Sequence, residues 1–127
     1  MFFVNFVRIK KNNKMRKIEH IGIAVKSLEV SNVLFEKLFG QPPYKEEEVA
    51  SEGVKTSFFM NGPNKIELLE ATNPDSPIAK FLEKKGEGIH HIAFDVNDIN
   101  EEVIRLKKEG FVILNEIPKK GADNKLV

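Results

Sequence analysis

Two stretches of this chain are copies of one another. "EHIGIAVKSLE", from Glu19, lines up with "HHIAFDVNDIN", from His90. Each is followed by an amphipathic run of helical period, a glycine (Gly40 or Gly110) and a further apolar stretch. The offset is about 71 residues. A duplication of this kind restricts the fold strongly, because both halves must use their faces alike.

The elements around the repeat are legible from caps and breakers. "KIEHIGIAV" is short and rich in β-branched residues, so it reads as a strand. Ser27 then caps a helix through "LEVSNVLFEKLF", which Gly40 ends. "YKEEEV" and "GVKTSFFM" read as strands with Gly53 between them, "NGPN" as a turn, and "KIELLEA" as another strand. "DSPIAKFLEKKG" has Ser76 at an N-cap, Pro77 at the first helical position and Gly86 after the end. "GIHHIAFDV" is a strand. In "DINEEVIRLKKEG", Asp98 precedes Glu101 at capping-box spacing and Gly110 is the stop. "FVILNEI" reads as a strand closed by Pro118, "KKGADN" as a loop, and "KLV" as the start of a further strand. The expected fold is therefore α+β: duplicated βαβββ modules, about 16–75 and 88–127, forming a curved mixed sheet with its last strand missing. Residues 15–127 make one domain. Residues 1–14 read as a disordered extension or a misread upstream segment, with a short strand from "FFVNFVRI" as the alternative.

The repeat also sorts the histidines, of which the chain has three. Alternate strand residues face opposite ways. His20, Gly22 and Ala24 then share one face, as do His91, Ala93 and Asp95. Ile21, Ile23 and Val25 share the other face, with His90, Ile92, Phe94 and Val96 in the second copy. The isoleucine face should pack on helices. The histidine face has small or acidic neighbours, which leaves room above the sheet. His20 and His91 would meet across a pseudo-twofold axis, and imidazole is a common ligand for transition metals. Glu67 is a carboxylate on the face of "KIELLEA" shared with Lys65 and Leu69, and such a charge is costly in an apolar strand unless paired or metal-bound. Its counterpart under the repeat would fall at roughly residue 138, beyond Val127. The expected metal ligands are thus His20, Glu67 and His91, with His90 structural or a support behind them.

Composition removes other classes. There is no cysteine, so thiolate metal sites, disulfides and a cysteine nucleophile are excluded. A net charge of +1 gives no reason to expect nucleic acid or membrane as a partner. No apolar run approaches the roughly 20 residues of a membrane-spanning helix, and the N-terminus lacks the order of a secretory signal. The expectation is a cytoplasmic chain.

"HIGIAV", "KIELLEA", "DSPIAKFLEKKGEGIHHIAFDV" and "PKKGADNK" together resemble the methylmalonyl-CoA epimerase family of the vicinal oxygen chelate superfamily. The strand pattern fits the whole superfamily, whereas "SPIAKFLEKKGEGIHHIAF" is much more specific to the epimerases. The resemblance covers about Arg16 to Val127. It implies a divalent metal, often cobalt, with zinc, manganese or nickel as alternatives, held by two histidines and two acidic or amide groups. His20, Glu67 and His91 fall on three of those positions; the fourth, a glutamate on the last strand, has no match, so the chain looks truncated. The implied activity interconverts (2R)- and (2S)-methylmalonyl-CoA by proton abstraction and return through a metal-stabilised enolate. The resemblance suggests two carboxylate bases, one being the unmatched glutamate. The other maps to Thr56, a poor base, so the catalytic pair is unknown and Glu67 is a weak candidate. Lys119, Lys120 and Lys125 are candidate contacts to substrate carboxylate or CoA phosphates. Relatives pair as homodimers. The competing readings are another metalloenzyme of the superfamily, such as lactoylglutathione lyase, and an inactive truncated binding module.

Overall fold

The protein is described here by a computed structural model covering residues 3–8 and 17–127, side chains from Lys17 onward. What was expected of residues 1–2 and 9–16 lies outside the described residues. The elements in chain order are β1 (Phe3–Arg8), β2 (Ile18–Ala24), α1 (Leu28–Phe39), β3 (Lys45–Val49), β4 (Val54–Asn61), β5 (Asn64–Ala71), α2 (Pro77–Lys85), β6 (Gly88–Val96) and α3 (Ile99–Lys108). The expected caps are in place. Ser27 accepts from the Val30 N–H, Ser76 from the Ala79 N–H, and Asp98 from the Asn100 and Glu101 N–H groups. Each satisfies helix donors that have no intrahelical partner.

The six strands form one mixed sheet in the order β1-β6-β2-β5-β4-β3. β2 pairs antiparallel with β6 at the seam between the two copies, and parallel with β5. Ile21 stands opposite Ile92 in the seam, while His20 stands opposite Ala93 and Gly22 opposite His91. Ile21 and Ile92 are equivalent positions of the repeat, so the pseudo-twofold axis passes between them. The α+β fold and its duplicated strands stand as expected.

Two expectations are corrected. Phe3–Arg8 is a strand, not a disordered extension, and it pairs parallel with β6. It stands to β6 as β5 stands to β2: Asn5 lies opposite Ala93 as Glu67 lies opposite Gly22. The backbone groups of β6 need a ladder partner on that side, and a strand rich in Phe and Val satisfies them. Phe111–Ile117, by contrast, is not a strand. Among the described residues no strand lies beside it. Val112 and Ile117 are 87% and 82% exposed, so neither a ladder nor a buried face holds it extended. "KLV" contributes only a single bridge, Lys120 to Leu126.

The core lies on the isoleucine face. Val25, Leu28, Phe59, Ile66 and Leu68 are buried there, with Ile21, Ile23, Phe35 and Phe39 packed against them. The Phe35, Phe39 and Phe59 rings sit with centroids 5.8 to 6.0 Å apart. α1 therefore covers the face away from the histidines. A second cluster of Ala24, Val54, Leu69 and Ile78 seats α2 on the other side. Among the described residues no helix is long and apolar enough to cross a membrane. Phe59 is fully buried at the centre of the first cluster. Phe59→Ala is expected to lower the unfolding free energy by about 3–5 kcal/mol, measured by urea denaturation with the slope unchanged.

Candidate metal centre

The seam brings the predicted ligands together. His20 Nε2 lies 2.9 Å from His91 Nε2, and Glu67 Oε2 lies 2.9 Å from the first and 3.5 Å from the second. The three residues come from three adjacent strands, β6, β2 and β5, and are 6%, 8% and 4% exposed. Two donors about 2.1 Å from one ion, at right angles to each other, are about 3 Å apart. The observed separations fit that arrangement, and these three groups can hold a single metal ion. Two imidazole nitrogens and a carboxylate oxygen suit a divalent first-row metal.

Gly22 makes the geometry possible. It is paired with Glu67 on one side and His91 on the other. A Cβ built there would lie 2.2 Å from His91 Cε1 and 2.5 Å from Nε2. The His91 ring thus lies where any other side chain would begin.

The strict alternation read from the sequence breaks twice in the seam. The β2/β6 register shifts between Ile18 and His20, and again between Gly22 and Ile23. Glu19 is the extra residue at the first shift, and His90 at the second. Such bulges re-aim side chains. Glu19 Oε1 lies 3.3 Å from His20 Nδ1, and His90 Nδ1 lies 3.0 Å from His91 Nδ1. His90 therefore does not simply join the Ile92 and Phe94 face. Its ring touches His91 and stands edge-on to Phe81.

Burial alone would lower the His20 pKa, but hydrogen bonds to Glu19 and Glu67 outweigh it and raise the value to about 9. Burial would raise Glu67, but His20 and His91 outweigh it and hold the carboxylate at about 2. Glu19 is lowered in the same way, its burial being overcome by His20 and then Lys65. His90 is pushed down to about 4 by burial and by His91. In the metal-free chain His20 is then an imidazolium, donating from Nδ1 to Glu19 and from Nε2 toward Glu67.

Beyond the triad lies a charged cluster the sequence did not disclose. Asp123 accepts from Lys65 Nζ at 2.9 Å, Lys45 Nζ at 3.2 Å and Tyr44 Oη at 3.2 Å. Lys65 Nζ also lies 3.4 Å from Glu19 Oε2. Asp123 has positive φ, as does Asn124, and its N–H donates to Glu47. Lys119, Lys120 and Lys125 are in this same C-terminal loop. Lys119 pairs with Glu52 at 2.6 Å, outside the triad. Thr56 is buried and donates to the Glu47 carbonyl, so it offers no base. A donor–acceptor cluster between remote loop and strand residues leaves no local spacing to read. Glu19 did carry one signal: it stands immediately before His20, as His90 stands immediately before His91 in the second copy.

Comparison with known proteins places the chain. Residues 19–127 match the Glyoxalase/Bleomycin resistance protein/Dioxygenase superfamily, and the chain belongs to it. Within that class it is similar to epimerases. It is 40% identical to the ethylmalonyl-CoA/methylmalonyl-CoA epimerase of Cereibacter sphaeroides, covering 87% of this chain and 84% of that one. It is 38% identical to human mitochondrial methylmalonyl-CoA epimerase, over 87% of this chain but only 64% of that protein's length. A methylmalonyl-CoA epimerase solved with methylmalonyl-CoA and NH4+ superposes with a TM-score of 0.84 at 29% identity, covering 89% of this chain and 83% of that one.

Two outcomes follow for the triad. Gly22→Ala forces His91 aside and is expected to abolish tight binding of Co2+ in isothermal titration while the chain still melts cooperatively. The pH dependence of the metal-free chain has a definite sign. Pairing of His20 stabilises the fold fully below its ordinary value of 6.5 and is lost as pH rises through about 9. Pairing of Glu67 stabilises above 4.5 and is lost as pH falls toward about 2. Thermal melts should therefore be highest between these windows, and Glu67→Gln should flatten the alkaline decline.

Proposed function

We propose that this chain interconverts the two epimers of methylmalonyl-CoA with the aid of a divalent metal. The observation that carries the reading is the convergence of His20, Glu67 and His91 on one point, in a chain 40% identical to an epimerase of this class. His20 and His91 supply neutral imidazole nitrogens once Nε2 is free of its proton, and Glu67 supplies Oε2. Cobalt is the expected ion. When bound, it supplies Lewis acidity to oxygens of the thioester and carboxylate groups. The site's burial excludes bulk water, which strengthens electrostatic interactions there.

The carbon between the two carbonyl groups loses a proton on one face and regains one on the other. That carbon–hydrogen bond breaks and re-forms, with no net oxidation. A base poised near the working pH serves this best. Glu67 is held too acidic and too committed to His20 and His91 for that task, and Thr56 is a donor. Lys119, Lys120 and Lys125 belong to this reading as contacts for CoA phosphate or substrate carboxylate; Lys119 would exchange Glu52 for the ligand. A homodimer is also part of it, supported by the exposed apolar residues Val30, Val33, Leu34 and Leu38 of α1.

The test is deuterium exchange. The chain is incubated with Co2+ and methylmalonyl-CoA in D2O, and label at the carbon between the carbonyls is followed by mass spectrometry. Exchange above the metal-only control is expected, falling to that control in His20→Ala and His91→Ala. Wild-type exchange no faster than the control overturns the assignment.

A further inference from the structure

We propose that Glu19 and His90 are positioning residues for the two ligand histidines, each delivered by its own β-bulge. The inference rests on the metal-dependent reading above and deepens it.

Glu19 and His90 occupy equivalent places in the repeat, each immediately before a ligand. In an unbroken strand each would face away from its neighbour. In this sheet the register slips at each of the two places. Between Ile18 and His20 the extra residue is on β2; between Gly22 and Ile23 it is on β6. A bulge costs ladder hydrogen bonds and pairing regularity. Two of them, at matching sites within one seven-residue strand pairing, both bring a polar side chain onto the Nδ1 atom of a ligand.

That atom is the one that matters. A histidine that binds metal through Nε2 must carry its remaining proton on Nδ1, and the partner of that N–H fixes both tautomer and ring orientation. Glu19 accepts from His20 Nδ1 as a carboxylate 3% exposed. It is itself held by Lys65, whose ammonium is shared with Asp123. His90 Nδ1 lies 3.0 Å from His91 Nδ1, so with His91 holding a metal through Nε2 it would accept from His91 Nδ1–H. The two supports differ chemically. An anionic acceptor increases the donor strength of His20 more than a neutral imidazole does for His91. The repeat thus preserves the position of the support while the chemistry has diverged. The geometry also ties the centre to the C-terminal loop, through Glu19, Lys65 and Asp123.

The experiment uses Co2+ alone as probe, with the full chain and the variants Glu19→Ala, Glu19→Gln, His90→Ala and His90→Gln. Affinity is read by titration. The two Nδ1–H protons are read as exchangeable, hyperfine-shifted signals in the proton NMR spectrum of the Co2+ form. Glu19→Ala should weaken Co2+ binding about 10–100-fold and broaden or remove one exchangeable signal, leaving the other. Glu19→Gln keeps an oxygen acceptor and should recover most of the affinity and the signal. His90→Ala should act on the other signal, with His90→Gln restoring it. Co2+ affinity within threefold of wild type in Glu19→Ala, with both signals unchanged, overturns the proposal and leaves the metal reading intact. If Glu19→Ala does not fold, Co2+ affinity within threefold of wild type in His90→Ala, with both signals unchanged, overturns it. A wild-type chain that takes up no Co2+ overturns the metal reading, and this proposal falls with it.

Discussion

The antiparallel pairing of β2 with β6 is the contact on which the rest depends. It sets Ile21 against Ile92 on the pseudo-twofold axis and places His20 and His91 one step to either side. Backbone hydrogen bonds allow few registers here. A slip of one residue would turn the isoleucine face outward and the histidines into the core. The burial of Ile66, Leu68 and Phe59 under α1 therefore holds the same register that brings two imidazoles within 2.9 Å. Core packing and site geometry are one constraint on opposite faces of a single sheet.

Burying two histidines and a glutamate together is costly unless their charges are balanced. In the metal-free chain the balance comes from a protonated His20 between Glu19 and Glu67, together with the Lys65 ammonium beside Glu19. The cluster is thus self-neutralising, and the same donors are preorganised for a cation. A bound ion would take the place of the Nε2 proton of His20 and leave Glu19 at Nδ1. This explains why a carboxylate is tolerated at the seam, where an aliphatic residue would otherwise serve packing better.

The outer part of the same face is occupied by a different electrostatic group. Lys45, Lys65, Tyr44 and Asp123 tie the C-terminal loop to β3 and β5. Burial and Asp123 together push the Tyr44 hydroxyl well above its ordinary range, so it stays a hydrogen-bond donor. Lys65 joins this group to the candidate metal centre through Glu19. The loop and the triad are therefore mechanically linked, although they are far apart in sequence.

Much of this was legible beforehand. The repeat paired His20 with His91, the face pattern added Glu67, and the cap residues delimited three helices, because each of these signals is local or periodic. Two things were not. Phe111–Ile117 has strand composition but, among the described residues, no strand beside it, and composition cannot supply a ladder partner; Phe3–Arg8 gains one from β6. Nor does alternation foretell where a register slips, since a bulge is a mismatch between two strands and belongs to neither alone. The sequence by itself determined which residues could bind an ion, through periodicity and duplication. Only the tertiary structure decided which groups orient them, because Glu19 and His90 reach their histidines through the seam between two remote strands.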